Sequence, residues 1–295
     1  MYMLDPSFKG YTQVIIASIS YGLIGIFIKL ISDIPLGSII FYRLLFGLAA
    51  IAAYLAIFGR FDEIKLKGKK SYILLLGLFE AGAVLSYFYA VRYTTVSLAV
   101  LLLYTAPIYV TLLSPLILKE NITSRSLFAL LLAVTGAIII IQPGSMLAGS
   151  MGIAGIIVGL ASGLLYAMMI LTSRHLKDYY SGTAQATWSM IVSIIVFSPF
   201  SMVVPSTVIF HNLFLLLLFG IVPTALGGIL YLGGLRLVRA ANASIISLLE
   251  PVSAVIFAFL ILNEPVSMTM LLGGGLILLG AGLASLEKPI AVATK

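Results

Sequence analysis

Apolar residues run in blocks of about twenty, and polar residues gather between the blocks. A helix rises 1.5 Å per residue, so about twenty apolar residues cross the roughly 30 Å of hydrocarbon in a bilayer. Ten blocks reach that length, at about 11–31, 35–57, 72–91, 95–118, 124–141, 151–173, 181–203, 211–235, 240–262 and 268–286. Short punctuated connections separate them, such as Asp33-Ile34-Pro35, Gln142-Pro143-Gly144, Pro205-Ser206 and Asn263-Glu264-Pro265. The longest connection, Gly59 to Lys70, is charged. The pattern predicts an all-α integral membrane protein with ten transmembrane helices. The first block is longer than a signal-peptide core and lacks a small-residue cleavage site, so it reads as an uncleaved span.

Composition agrees. Of 295 residues, 61% are hydrophobic and 9% charged, with a mean hydropathy of +1.19. A soluble domain carries about 25% charged residues. With no cysteine, disulfide and thiolate chemistry are excluded. The two histidines, His175 and His211, fall on opposite sides of the predicted bilayer, so no metal site is expected. No phosphate-binding GxxxxGK[ST] occurs. No cluster of polar residues gathers at one interface, as an intramembrane enzyme would need. The chain is therefore read as a non-enzyme without cofactors. Nucleic acid is not an expected partner, because no basic patch interleaves with exposed aromatics.

The net charge of +7 is unevenly placed. With the N-terminus cytoplasmic, the inner side holds Lys9, the Arg60–Lys70 cluster, Lys119, Arg125, Arg174, Lys177, Arg236, Arg239, Lys288 and Lys295. The outer side holds only Lys29 and Arg92, and Arg43 stays inside the membrane. Basic loops face the cytoplasm. The expected location is the cell membrane, multi-pass, with both termini cytoplasmic.

The sequence also repeats at an offset of 144 residues. It pairs Tyr87 with Tyr231, Arg92 with Arg236, Ala99 with Ala243, Pro107 with Pro251, Glu120 with Glu264 and Gly136 with Gly280. Apolar coincidences are cheap in such a chain, but Tyr, Arg, Pro, Glu and Gly in one register are not. The expected units are residues 1–145 and 146–295. Each holds five spans, an odd number, so the second inserts inverted. Inverted repeats are the architecture that opens one site to either side of a membrane.

Ionisable groups inside hydrocarbon are costly and mark function. Glu80, Glu250 and Arg43 all fall near mid-span. Arg43 and Glu80 read either as a structural ion pair or as contacts to a substrate carboxylate and amine. Glu250 has no basic partner at its depth and reads as a proton carrier or amine-binding group, or as a carboxyl bonded to a carbonyl freed by Pro251. Prolines inside spans remove a helix hydrogen bond, so Pro107 and Pro251 are expected to break or hinge the fourth and ninth spans. Ser244, Ser247 and Glu250 share a helical face, as do Glu80 and Tyr87, and Tyr104 lies on the fourth span's counterpart face. Trp188, Tyr166 and Tyr231 complete the candidate wall of a central cavity. For any one aromatic, interface anchoring or packing is the alternative. Glu120 and Glu264 read as capping or loop-fixing groups, with a gate as the alternative. Glycines at 155, 159 and 163 and around 273–282 are read as close intramolecular contacts, with a homodimer face as the alternative.

Leu249-Glu250-Pro251, Asn263-Glu264, Pro107, Lys119-Glu120 and Tyr21-Gly22 resemble the drug/metabolite transporter superfamily, in particular its EamA-type members. Arg43 is similar to an arginine often found early in the second span there; Trp188 stands at its counterpart in the second half. The resemblance covers essentially the whole chain. It implies ten helices in two inverted five-helix repeats, and a central cavity lined mainly by spans 1, 3, 4, 6, 8 and 9. It also implies export or exchange of small metabolites, amino acids being a common class. The expectation is a secondary transporter working by alternating access, with a small-molecule substrate and the lipid bilayer as partners. Proton coupling and the choice between monomer and homodimer stay open. The alternatives are a protein handling lipid or envelope components and an uncoupled facilitator.

Overall fold

The computed structural model describes residues 6–141 and 153–287. The expected repeat boundary near residue 145, the Gln142-Pro143-Gly144 connection, Lys288 and Lys295 lie outside the described residues. Ten helices are long and apolar enough to span a membrane. They are α1 (Pro6–Leu30), α2 (Leu36–Ile57), α3 (Lys70–Tyr93), α4 (Leu98–Ile117), α5 (Ser124–Ile141), α6 (Ile153–His175), α7 (Gly182–Ser201), α8 (Leu213–Leu235), α9 (Ala240–Leu262) and α10 (Met268–Ser285). No strand occurs among the described residues. Several starts are capped by side chains at the punctuation. The hydroxyls of Thr95, Ser181 and Ser267 accept from the amides of Leu98, Ala184 and Met270 at 3.2, 3.1 and 3.2 Å.

The surface is apolar and the interior is small. Ile57, Leu116 and Phe214 are 77%, 78% and 71% exposed, on the face that lipid covers. Lipid tails are as apolar as leucine, so close van der Waals packing must hold the helices together. Glycine provides it. A Cβ on Gly136 would stand 2.4 Å from the Gly273 carbonyl, and one on Gly273 would stand 2.6 Å from the Gly136 carbonyl. These residues let α5 and α10 touch backbone to backbone. The 155–159–163 stripe faces Tyr93, Thr94, Leu102 and the Leu102 carbonyl. Both glycine sets serve intramolecular contacts, while Gly275 and Gly282 meet nothing within 4 Å.

The packing follows the duplication. α3 lies against α6 and α7, and its counterpart α8 lies against α1 and α2. α4 packs on α6, and its counterpart α9 packs on α1. α5 and α10 pack on each other. Each half therefore seats its inner helices against the other half.

Four inner helices are irregular. α4 breaks between Leu103 and Ala106, and α9 at Leu248, which is Tyr104 plus the repeat offset of 144. In both, the break falls in the turn before the proline, where the missing amide and the ring disturb the preceding carbonyls. α1 is interrupted at Gly22, where a Cβ would meet the α9 backbone 2.7 Å away at Ala254. α8 carries a π-helical turn over Gly220–Leu226. There Pro223 frees the Phe219 carbonyl, and the Thr224 hydroxyl donates to it at 2.8 Å.

Candidate functional site

The inner helices bring eight polar side chains together near mid-membrane. Tyr21 (α1), Arg43 (α2), Glu80 (α3) and Glu250 (α9) lie within electrostatic reach of one another. Tyr166 (α6) and Tyr231 (α8) lie within the same reach of Tyr21 and Glu250, and Tyr87 (α3) and Tyr104 (α4) within reach of Glu250. Tyr21 and Tyr231 meet edge to face with ring centroids 6.0 Å apart. Tyr231 is buried and the other seven are partly buried. Glu250 sits in the first turn of the second half of α9.

Arg43 and Glu80 do not form the ion pair that was one expectation: no contact within 4.0 Å joins them. The Arg43 guanidinium instead lies 5.3 Å from the centre of the Phe219 ring, which stacks on Phe27. The Ser189 hydroxyl faces the Glu80 carboxyl. Two buried polar atoms of the cluster have no hydrogen-bond partner among the described residues, Arg43 Nε and the Tyr231 hydroxyl. The latter lies beside Ser247 and Tyr166 without a well-formed bond to either. Buried polar atoms are normally bonded, and these two are exceptions, as are four outside the cluster, on Gln13, Thr111, Ser193 and Arg239.

Other expected residues stand elsewhere. Trp188 donates from Nε1 to the Ile64 carbonyl at 2.8 Å and so pins the Gly59–Lys70 connection. Its ring nitrogen is thus turned to that connection, whereas the next residue, Ser189, faces Glu80. Ser244 is fully buried and donates to the Ala241 carbonyl at 2.8 Å, which places it in helix packing. Ser247 likewise turns its proton to the Ser244 carbonyl at 2.7 Å, though its oxygen remains beside Tyr231. The proline-linked breaks of α4 and α9 do flank the cluster, at Tyr104 and at Glu250.

The ends of the bundle differ from the sequence expectation most. Pro6 and Glu287 lie on one face, here called the terminal face. Arg174, counted from the sequence among the inner-side basic residues, is only 6% exposed there and pairs with Glu120 at 2.8 Å. Its Nη1 also donates to the Leu235 and Arg236 carbonyls, and the second Glu120 oxygen accepts from the Ala240 amide at 2.9 Å. Beside it, the Glu287 carboxylate accepts from Thr123, Ser126 and Asn242 and pairs with Arg239 at 3.3 Å. Burial works to raise the Glu287 carboxyl, but these hydrogen bonds and the Arg239 charge outweigh it and hold it below the usual carboxylate range. At the opposite face, Lys29 pairs with Glu264 in the open.

Sequence reading left Tyr21, Phe219 and Ser189 out of the site. A signal for Tyr21 existed. In the first and sixth spans the repeat offset is 145, which aligns Gly10 with Gly155, Tyr21 with Tyr166 and Lys29 with Arg174. The cluster thus holds two repeat-related tyrosine pairs, 21/166 and 87/231.

Known proteins agree with this architecture. The EamA-like transporter family matches residues 8–142 and again 153–286. An uncharacterized transporter of Archaeoglobus fulgidus is 29% identical over 276 residues, 93% of this chain and 96% of that protein. The pseudopaline exporter of Pseudomonas aeruginosa is 28% identical over 176 residues, 59% of this chain and 61% of its own. A solved crystal structure superposes with a TM-score of 0.80 over 95% of this chain and 96% of that one, at 15% identity, which speaks to the fold.

Proposed function

The chain belongs to the EamA-like transporter family, and we propose that it exports or exchanges small zwitterionic metabolites, amino acids foremost, by alternating access at the Glu250 cluster. One observation carries the reading. A cation, Arg43, and two carboxyls, Glu80 and Glu250, lie within reach of one another at the middle of the spans, and Arg43 lies over Phe219 without an ion pair to either carboxyl. Isolated ions are costly at that depth. A ligand with both a carboxylate and an ammonium compensates both signs at once. Arg43 takes the carboxylate in this scheme, with its free Nε completing a forked contact. Glu250 takes the ammonium, and the faces of Tyr21, Tyr166 and Tyr231 stabilise it further. Tyr87, Tyr104 and Ser247 line the path, and α4 and α9 flex at the turns before Pro107 and Pro251.

The likeness to a pseudopaline exporter supports outward transport. The bias of Lys and Arg supports a terminal face turned to the cytoplasm and residence in the cell membrane. Glu250 is also the group through which a proton gradient would act. A lipid-linked substrate is the second reading. It is favoured by a mostly apolar cavity of about 470 Å³ between α2, α3 and α7, with Arg92 in its lining.

The test is uptake of a labelled amino-acid panel into liposomes holding the purified protein, with and without a proton gradient. Saturable uptake of a subset, lost in both Arg43→Lys and Glu250→Gln, is expected. If folded protein moves no amino acid but flips labelled lipid, the second reading replaces the first. If Glu250→Gln leaves both the rate and its pH dependence intact, the carboxyl has no part in coupling.

A further inference from the structure

We infer that Glu120–Arg174 and Lys29–Glu264 are a repeat-related pair of gate latches, one closing the cluster to the terminal face and the other to the opposite face. The inference rests on alternating access at that cluster. The two glutamates occupy one place in the repeat, 144 residues apart, and their bases occupy another, 145 apart. Backbone geometry repeats with them. Lys119 and Asn263 are both left-handed, with φ of 56° and 55°. The next amide reaches back six residues in each case, Glu120 N to the Ser114 carbonyl at 3.4 Å and Glu264 N to the Ala258 carbonyl at 3.2 Å. Asparagine tolerates this conformation and lysine adopts it uncommonly, so the turn is held by its place in the fold. It aims each carboxylate from the end of α4 or α9 at the end of α6 or α1.

Each latch therefore joins a broken helix to a helix of the other half, across one mouth of the bundle. α4 with α6 closes the terminal side, and α9 with α1 closes the opposite side. Their states are unequal. The terminal latch is buried, 7% and 6% exposed at its side chains, and also holds the α8 carbonyls and the α9 amide. The opposite latch is 60% and 45% exposed and holds nothing more among the described residues. Opening the terminal side must strand a buried charge, whereas opening the other side releases a hydrated pair. Both latches are formed in this geometry, the terminal one the more deeply held.

The chain has no cysteine, so single cysteines report access cleanly. Ala243→Cys lies on α9 on the terminal side of Glu250, and Ala254→Cys on the opposite side. Each is placed in otherwise full-length protein in liposomes and labelled with a membrane-impermeant maleimide, alone and with a latch broken. Glu120→Gln is expected to raise Ala243→Cys labelling about a hundredfold, the scale of stranding a buried partner, and to lower Ala254→Cys labelling. Glu264→Gln is expected to raise Ala254→Cys labelling no more than about fivefold and leave Ala243→Cys labelling low. Arg174→Lys, which keeps the charge but loses the fork, falls between. Rising access on both sides at once marks local fraying and overturns the inference, as does unchanged access in folded Glu120→Gln protein. If Glu120→Gln does not fold, the exposed pair decides alone: unchanged Ala254→Cys labelling in both Glu264→Gln and Lys29→Gln overturns it. Labelling needs no substrate, so reciprocal labelling without flux would count against the substrate reading, and flux without reciprocal labelling against the latches.

Discussion

The two mouths of the bundle grew from the same residues and ended up with different physics. At the terminal face a Glu–Arg pair sits inside protein, and both partners bind backbone groups of α8 and α9 as well. At the opposite face a Glu–Lys pair sits in the open and, among the described residues, its side chains bind only each other. The base explains part of the difference. Arginine offers five donors in a rigid fork and so can hold a carboxylate and two carbonyls together, where lysine offers a single point charge. The rest comes from surroundings: Arg174 lies where α4, α6 and α8 end together, and Lys29 lies at a rim. A duplicated element keeps its fold more easily than its energetics.

That contrast can be broken by mutation, and the largest effect belongs to the buried side. Arg174→Ala leaves Glu120 and two carbonyls unpaired, and should cost about 3–5 kcal/mol of stability, read as the loss of thermal stability in detergent. Next come changes elsewhere that spare the pair. Gly136→Ala forces a methyl into the Gly273 carbonyl and should cost about 1–3 kcal/mol by the same measurement. Glu287→Gln should cost a similar amount, about 1–3 kcal/mol, at neutral pH. Its sign with pH is fixed. The folded Glu287 carboxyl is held below its ordinary value of 4.5, so its stabilisation is full above that pH and is lost as pH falls through the lower folded value. Wild type should therefore lose stability on acidification more steeply than Glu287→Gln, and parallel acid titrations of unfolding would refute the assignment. The smallest effects belong to the open side. Glu264→Gln should change stability by about 0–1 kcal/mol and less still in high salt. Gly275→Ala, with nothing within 4 Å, should fall within about 0.5 kcal/mol. Equal losses at Glu264 and Arg174 would erase the distinction between the mouths.

Much of the site was legible because membranes punish polar groups. Glu80, Glu250, Arg43 and the paired tyrosines stood out against an apolar chain, and the structure gathers them. Tyr21 was harder, because a lone aromatic in a span faces lipid or packing as readily as a cavity; only the 145-residue register in α1 and α6 singles it out. Trp188 and Ser244 sat on plausible faces but turn to Ile64 and to Ala241, since a helix offers local backbone acceptors that no face plot displays.

The sequence by itself determined the ten spans, the duplication, the broken middles of α4 and α9, and which ions lie at mid-membrane. Those follow from length, register and the cost of burying charge, which act along one chain. Only the tertiary structure decided which charges meet. Arg174 reads only as one of the inner-side basic residues until the ends of α4, α8 and α9 close around it, and a pair with Glu80 is one of two readings of Arg43 until its guanidinium is found over Phe219. Pairing depends on distances between helices far apart in sequence, and the packing of the two halves sets those distances.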